Sequence, residues 1–184
     1  MSLLITSMKH LKTICKHKYW VFHYCYKAGI PWRGIVHDLS KFSPIEFFES
    51  IKYYQGTSSP IDACKKKNGW SAAWLHHKGR NKHHYEYWQD NFDNGGVPLQ
   101  MPYKDALELV CDYLGAGKAY QGKNFTLESE LEWWKNKKSK NIAMHPQTIE
   151  FIDSMMRYFV TYGEYATFKC SKRIYNICDL AYKG

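Results

Sequence analysis

Apolar side chains recur along this chain at intervals of three and four, the spacing of one helix face. No stretch alternates apolar and polar long enough to predict a strand. Residues 3–27 open the pattern, with Leu4, Met8, Leu11, Cys15 and Phe22 as the apolar stripe. His10 and His17 stand seven apart and share a face of the same helix, which Val21 continues. Gly29 is a natural stop, and Pro31 a natural first residue for a second helix, which carries His37-Asp38 towards its end. Ser43-Pro44-Ile45-Glu46 predicts a capping box and a third helix to about Tyr54. Residues 55–60 read as a loop, and the polar residues 61–69 have no clear assignment. Residues 70–78 predict a helix ending on His76-His77 and broken by Gly79. Residues 81–92 predict another, with His83-His84 in its first turn.

After a loop punctuated by Asp93-Asn94-Gly95-Gly96, Pro98 and Pro102, residues 103–120 give the clearest later helix. Ala106, Leu109, Val110, Tyr113 and Leu114 form its stripe, and Asp105, Glu108 and Asp112 share one flank. A short charged helix over 127–138 and a closing pair over 146–162 and 164–182, joined near Gly163, complete the chain. The expectation is an all-α, single-domain helical bundle over residues 1–184.

Composition narrows the setting. The 184 residues are enough for one domain with a real core. A formal charge of +9 favours an anionic partner: a nucleotide, a phosphorylated small molecule or a nucleic acid. The six cysteines form no Cys-x-x-Cys pair, so zinc ribbons and thioredoxin-like motifs are excluded and a reducing cytoplasm is expected. Cys15, Cys25 and Cys111 read as small core residues. The start of the chain is too short and polar for a signal peptide. No apolar run reaches the roughly 18 residues of a membrane span, so no membrane partner is expected.

Histidine and carboxylate spacing supplies the candidate chemistry. His37-Asp38 can grip a divalent cation from two sides, and the second oxygen of Asp38 can bridge to another. His17, His77, His83 and Asp112 lie on other predicted helices that can point inward to the same place, as in a metal site within a bundle. Imidazole and carboxylate suit Mn, Fe, Ni, Co, Zn or Mg. His10 is the rival to His17. The neighbours His76 and His77, like His83 and His84, point about 100° apart on a helix, so not all four can be ligands.

Lys41, Arg80, Lys82 and His84 are candidates to hold a substrate phosphate. Asp38, Lys41 and Glu86 are the candidates for catalysis. Glu86 and Glu108 are possible bases for an attacking water, with salt bridging as the simpler role. Two further motifs carry less. Residues 117–124 nearly spell a phosphate loop, but Asn124 replaces the needed hydroxyl and no strand precedes it. Lys135, Lys137, Lys138 and Lys140 after Trp133-Trp134 could touch nucleic acid, against the plainer reading of a solvated helix end.

The order His17…His37-Asp38-x-x-Lys41…His77…His83-His84…Asp112 resembles the HD-domain superfamily of metal-dependent phosphohydrolases. Residues 74–86 are similar to the extra histidines of its two-metal members, including the HD-GYP branch. The spacing is tighter here, and no Gly-Tyr-Pro follows His83-His84. The wider sequence also resembles a small bacterial family of unknown function over most of residues 8–122, which would be the HD-like core with the helices of 127–184 packed on it. The resemblance implies an all-α fold, a bound divalent metal and hydrolysis of a phosphomonoester or phosphodiester, with a nucleotide as the expected substrate. Two readings stand beside it: a non-catalytic module that binds metal, nucleotide or nucleic acid, and an interaction protein whose histidines form a buried polar network.

Overall fold

The computed structural model describes residues 3–180 and is all-α. Eight α-helices account for most of it: α1 (Leu3–Lys27), α2 (Pro31–Val36), α3 (Pro44–Tyr53), α4 (Pro60–Asn68), α5 (Ala72–Arg80), α6 (Tyr103–Gln121), α7 (Leu127–Lys138) and α8 (Pro146–Leu180). A two-residue antiparallel ribbon, β1 (Gln89–Asp90) and β2 (Val97–Pro98), pairs Gln89 with Pro98 inside the long connection before α6. α8 is two helices that fold back on one another at Gly163 (φ 75°, ψ 173°), where the sequence expected a joint, with Phe159 against Phe168 and Gln147 Nε2 donating to the Asp179 carbonyl. The final two residues of the second expected helix, 181 and 182, lie outside the described residues. No helix among those described is long and apolar enough to cross a membrane.

Helix α6 is the axis. α1 packs along it on one side, and α7 and α8 pack on another. Val21, Tyr24 and Cys25 of α1 meet Leu107, Val110, Cys111 and Leu114 of α6, and Phe151, Ile152, Met155 and Phe159 of α8 close the core. α1 approaches α6 closely because Gly115 has no side chain. A Cβ there would stand 2.5 Å from Val21 Cγ2 and 2.9 Å from the Val21 backbone nitrogen. Gly34 does the same for α2, where a Cβ would meet Phe22 Cα and Cys25 Cβ at 2.8 Å.

Several local expectations are corrected. The stripe Leu4, Met8, Leu11, Cys15 and Phe22 faces outward, and the inward face of α1 is His10, Ile14, His17, Val21, Tyr24 and Cys25. An apolar count misses this face because two of its positions are histidines. His37 and Asp38 do not lie within the second helix. α2 ends at Val36, and Asp38 takes a left-handed conformation (φ 54°) before a 3-10 turn over Leu39–Phe42. Ser43 precedes α3 but makes no side-chain cap, and Glu46 turns inward to two histidines instead of closing a capping box. The polar residues after 60 do form a helix, α4, ended by Gly69 at φ 81°.

Gly79 sits inside α5 rather than breaking it. Asn81 ends that helix, its side-chain amide donating to the His77 carbonyl and to Ser40 Oγ. The helix expected over 81–92 is therefore absent. The segment is a turn, a short 3-10 helix over Tyr85–Tyr87 and β1. Among the C-terminal lysines, Lys138 is ion-paired to Asp153, which also accepts from the buried Trp134 indole, so the run is not one solvated face. The residues of the near phosphate loop serve packing, with Gly117 against Phe125 and Glu130.

Two measurements test this packing. Gly115→Ala should lower unfolding free energy by about 1–3 kcal/mol in chemical denaturation, because the extra methyl must push α1 from α6. Burial, with the nearby Asp112 charge, raises the Glu130 carboxyl to about 8. The folded state thus keeps a proton on Glu130 that the unfolded chain has released, and native stability falls as pH rises from 4.5 to about 8. Glu130→Gln should remove that loss, its advantage in unfolding free energy from chemical denaturation growing across the window to about 2–4 kcal/mol and then levelling.

Candidate metal centre

Five chain segments converge on Asp38. His17 comes from the inward face of α1 and Asp112 from the facing side of α6. His37 and Asp38 come from the α2 junction, His77 from α5, and His83 and His84 from the turn after it. The left-handed residue at Asp38 reverses the chain there. Asp and Asn tolerate that conformation best among residues with a side chain. His37 and Asp38 are fully buried.

The two oxygens of Asp38 face different donors. Oδ2 stands 3.5 Å from His17 Nε2 and 3.3 Å from His37 Nε2, and Asp112 Oδ1 lies 3.1 and 3.4 Å from the same two nitrogens. Oδ1 stands 3.2 Å from His77 Nε2 and 3.4 Å from His83 Nε2, and His77 Nε2 is 2.9 Å from His84 Nε2. Two ligands about 2.1 Å from one cation and at tetrahedral or octahedral angles are separated by roughly 3.0–3.4 Å. The spacing in both sets fits that figure. His17, His37, Asp38 and Asp112 form one four-donor group, and Asp38, His77, His83 and His84 the other.

The chemistry of the donor set fits a cation too. Asp38 Oδ1 and His83 Nε2 are buried without a hydrogen-bond partner, and Asp38 Oδ2, also without a hydrogen bond of good geometry, has the Lys41 ammonium at 2.5 Å. His17 faces His37 nitrogen to nitrogen at 3.4 Å. Buried lone pairs turned on one another are costly unless a positive centre lies between them.

The outer nitrogens of the imidazoles are held by carboxylates. Glu108 Oε1 accepts from His37 Nδ1 (3.0 Å) and from His83 Nδ1 (3.2 Å), so one carboxylate orients a donor of each set. Arg33 Nη1 donates to Glu108 Oε2 (2.8 Å) and to Asp105 Oδ1 (2.7 Å), fixing that carboxylate. Glu46 accepts from His77 Nδ1 (2.7 Å) and His76 Nδ1 (2.6 Å). A proton on each Nδ1 leaves each Nε2 lone pair turned inward, the tautomer that binds a metal.

Electrostatics follow from burial against charge. Burial raises the pKa of Asp38, but His37, Lys41 and His77 outweigh it and hold the carboxyl well below the usual range. Glu108 falls to about 2 against its burial, through its bonds to His37 and His83. Burial lowers His37 and His77, yet Asp38 and its neighbours lift both above 6.5, so a cation must displace protons there. His84 goes well below 6.5, first through burial and then through the charges of His83 and His77.

The residues expected from sequence divide as follows. His17, His37, Asp38, His77, His83 and Asp112 are brought together, and His84 joins them as a donor. Lys41 Nζ lies 2.5 Å from Asp38 Oδ2 and lines a cavity of ≈240 Å³ that reaches His17, His77, His84 and Asp112. Glu86 lines that cavity, and its Oε2 is buried without a partner. Arg80 and Lys82 are exposed and do not line it, because Asn81 ends α5 and turns the chain outward there. His10 lines the cavity but packs tilted against Phe47 and edge-on to Tyr54 instead of joining either donor group, and burial lowers it to about 4. Sequence reasoning missed Glu46, which it assigned to a cap, and Arg33. Glu108 had a signal, four residues before Asp112 on the same flank.

Glu108→Gln should weaken binding of a divalent cation by roughly 10- to 100-fold, since it loosens an imidazole in each set. Titration of metal-free protein with Mn or Zn checks this, and Glu132→Gln, on the exposed face of α7, should leave the affinity unchanged.

No curated protein and no solved structure matches the chain. One family model does, over residues 6–158, and it spans the donors from His17 to Asp112. The chain belongs to that family, which is described as a family of unknown function (DUF5662).

Proposed function

We propose that this protein is a metal-dependent phosphohydrolase of the HD type, acting on a phosphomonoester or phosphodiester. The observation that carries the reading is Asp38 standing between two four-donor groups, one oxygen to each. A divalent cation held by His17, His37, Asp38 and Asp112, or a pair shared through Asp38, would supply positive charge to a phosphoryl oxygen and lower the pKa of water.

The chain's own residues supply the rest. Glu108 and Glu46 keep the imidazoles in the metal-binding tautomer, and Arg33 holds Glu108 in place. Burial works against charge on Lys41, but the carboxylates of Asp38 and Asp112 keep its pKa above the ordinary lysine value, so it stays cationic. Its place in the cavity wall lets it neutralise phosphate as negative charge develops. Glu86 offers an unpartnered carboxylate oxygen in the same wall, suited to accept a proton. The cavity reaches the donors through a largely buried cleft, which strengthens these interactions by excluding water. The six free cysteines agree with a cytoplasmic setting.

The test is elemental analysis of protein purified without chelator, beside Asp38→Ala, followed by a screen of phosphomonoesters and phosphodiesters. About one or two transition-metal ions per chain are expected, lost in the variant together with turnover. Metal retained with no turnover of any phosphoester would replace the enzyme with a non-catalytic binding module. No metal in either protein, even after loading with Mn, Ni or Zn, would overturn the reading.

A further inference from the structure

The cavity over the donors has two cations that the metal centre does not use. Lys65, on α4, and Lys137, on α7, come from helices that contribute no ligand, yet both line the cavity that reaches His77, His84 and Asp112. Each is half-buried and held by rings. Lys65 Nζ lies 3.9 Å from the centroid of Trp74, whose ring is 4.9 Å from His84. Lys137 Nζ lies 5.6 Å from each of Tyr85, Tyr113 and Trp133, and Tyr85 and Tyr113 directly follow His84 and Asp112 in the chain. Each ammonium therefore stands one aromatic layer out from the donors.

Among the described residues neither ammonium has a carboxylate within ion-pair distance, unlike Lys41 and Lys138. Asp62 and Glu86 line the same cavity at longer range. Burial lowers the pKa of Lys65, the charges of Asp62 and Glu86 oppose that in part, and the charge of Lys137 adds a smaller lowering, so the two lysines lie in each other's field. Two cations brought together at the cost of desolvation and mutual repulsion suit an anion between them. Lys41 serves the phosphate at the donors, so this anion is a different one.

We propose that Lys65 and Lys137 form a second anion subsite, and that the substrate is a small phosphoester carrying a second phosphate or carboxylate besides the reacting phosphate. The body between the two anions meets Ile14, Ala116, Tyr113 and Tyr120, apolar and aromatic surface that suits a short carbon chain or a ring. A cavity of ≈240 Å³ accommodates a compact substrate rather than a polymer. The inference rests on the phosphoester reading for the first anion, and it names the substrate class.

The experiment uses inert phosphonates, so it does not depend on turnover. Methylphosphonate presents one anion; phosphonopropionate presents a carboxylate as the second, and a propylene diphosphonate a phosphonate. Each is titrated by calorimetry into Mn-loaded wild type, Lys65→Met, Lys137→Met, the double variant, and Lys104→Met/Lys140→Met as a control of equal charge on exposed lysines. Metal content confirms that each variant retains its site.

At least one two-anion probe should bind wild type and the control about tenfold or more tighter than methylphosphonate. That advantage should shrink in each single variant and fall within about threefold in the double variant. Which probe gains tells phosphate from carboxylate as the second group. Equal binding of all three probes to wild type, or an advantage that survives in the double variant, would overturn the subsite. Loss of metal from the double variant would shift the decision to the single variants, where an undiminished advantage overturns it equally. Failure of the phosphohydrolase reading would show separately, as absent turnover with the subsite's selectivity intact.

Discussion

A fully buried carboxylate with imidazole nitrogens on both oxygens is the constraint to which the rest of this structure conforms. Asp38 sits at a left-handed turn, between a six-residue helix and a 3-10 turn, where backbone reversal places it and His37 inward together. Each oxygen then needs partners that a single helix cannot supply. His17 reaches one of them, with Asp112 on the same imidazole nitrogen, only because α1 lies close along α6, with Gly115 permitting the approach one turn beyond Asp112. His77 and His83 reach the other because α5 ends at Asn81 and the chain doubles back. The packing of the α1–α6 core and the geometry of the centre are thus one problem, since a displaced helix spreads the donors.

A second layer of carboxylates makes that concentration of lone pairs sustainable. Glu108 accepts from His37 and His83 and is pinned by Arg33, while Glu46 accepts from His76 and His77. These bonds fix ring orientation and keep the carboxylates charged in spite of burial. They also explain why Asp105, Glu108 and Asp112 share one flank of α6 at spacings of three and four. Asp105 anchors Arg33, Glu108 orients imidazoles, and Asp112 faces the donor group itself. Polarity that looks anomalous in a core helix is, position by position, a gradient from salt bridge to a donor that could hold a metal ion.

Cations are arranged differently. Lys41 is ion-paired to Asp38 at the donors, whereas Lys65 and Lys137 are held against rings at the outer wall of the cavity. The pair arrives from helices far from one another in the chain, so neither lysine stands beside the histidines in sequence as Arg80 and Lys82 do. The outward stripe of α1 has a similar origin. Its apolar residues are more regular than those on its buried side, because the buried side gives two positions to His10 and His17.

Much of this protein is legible without its tertiary structure. Apolar spacing of three and four, the stops at Gly29 and Gly163, and Pro at the first positions of α2 and α3 place helices near their observed bounds, since these signals act within a turn or two of chain. His17, His37-Asp38 and Asp112 stand out by residue type and spacing alone. The tertiary structure decided what depends on groups distant in sequence. Glu46 is an imidazole partner rather than a cap because two histidines thirty residues away outbid a solvated helix end. His83 and His84 reach the centre from a turn because the Asn81 amide found Ser40 and the His77 carbonyl. Local pattern sets which backbone forms; long-range contacts, each weak until the chain has folded, choose which face turns inward and which donors share one carboxylate.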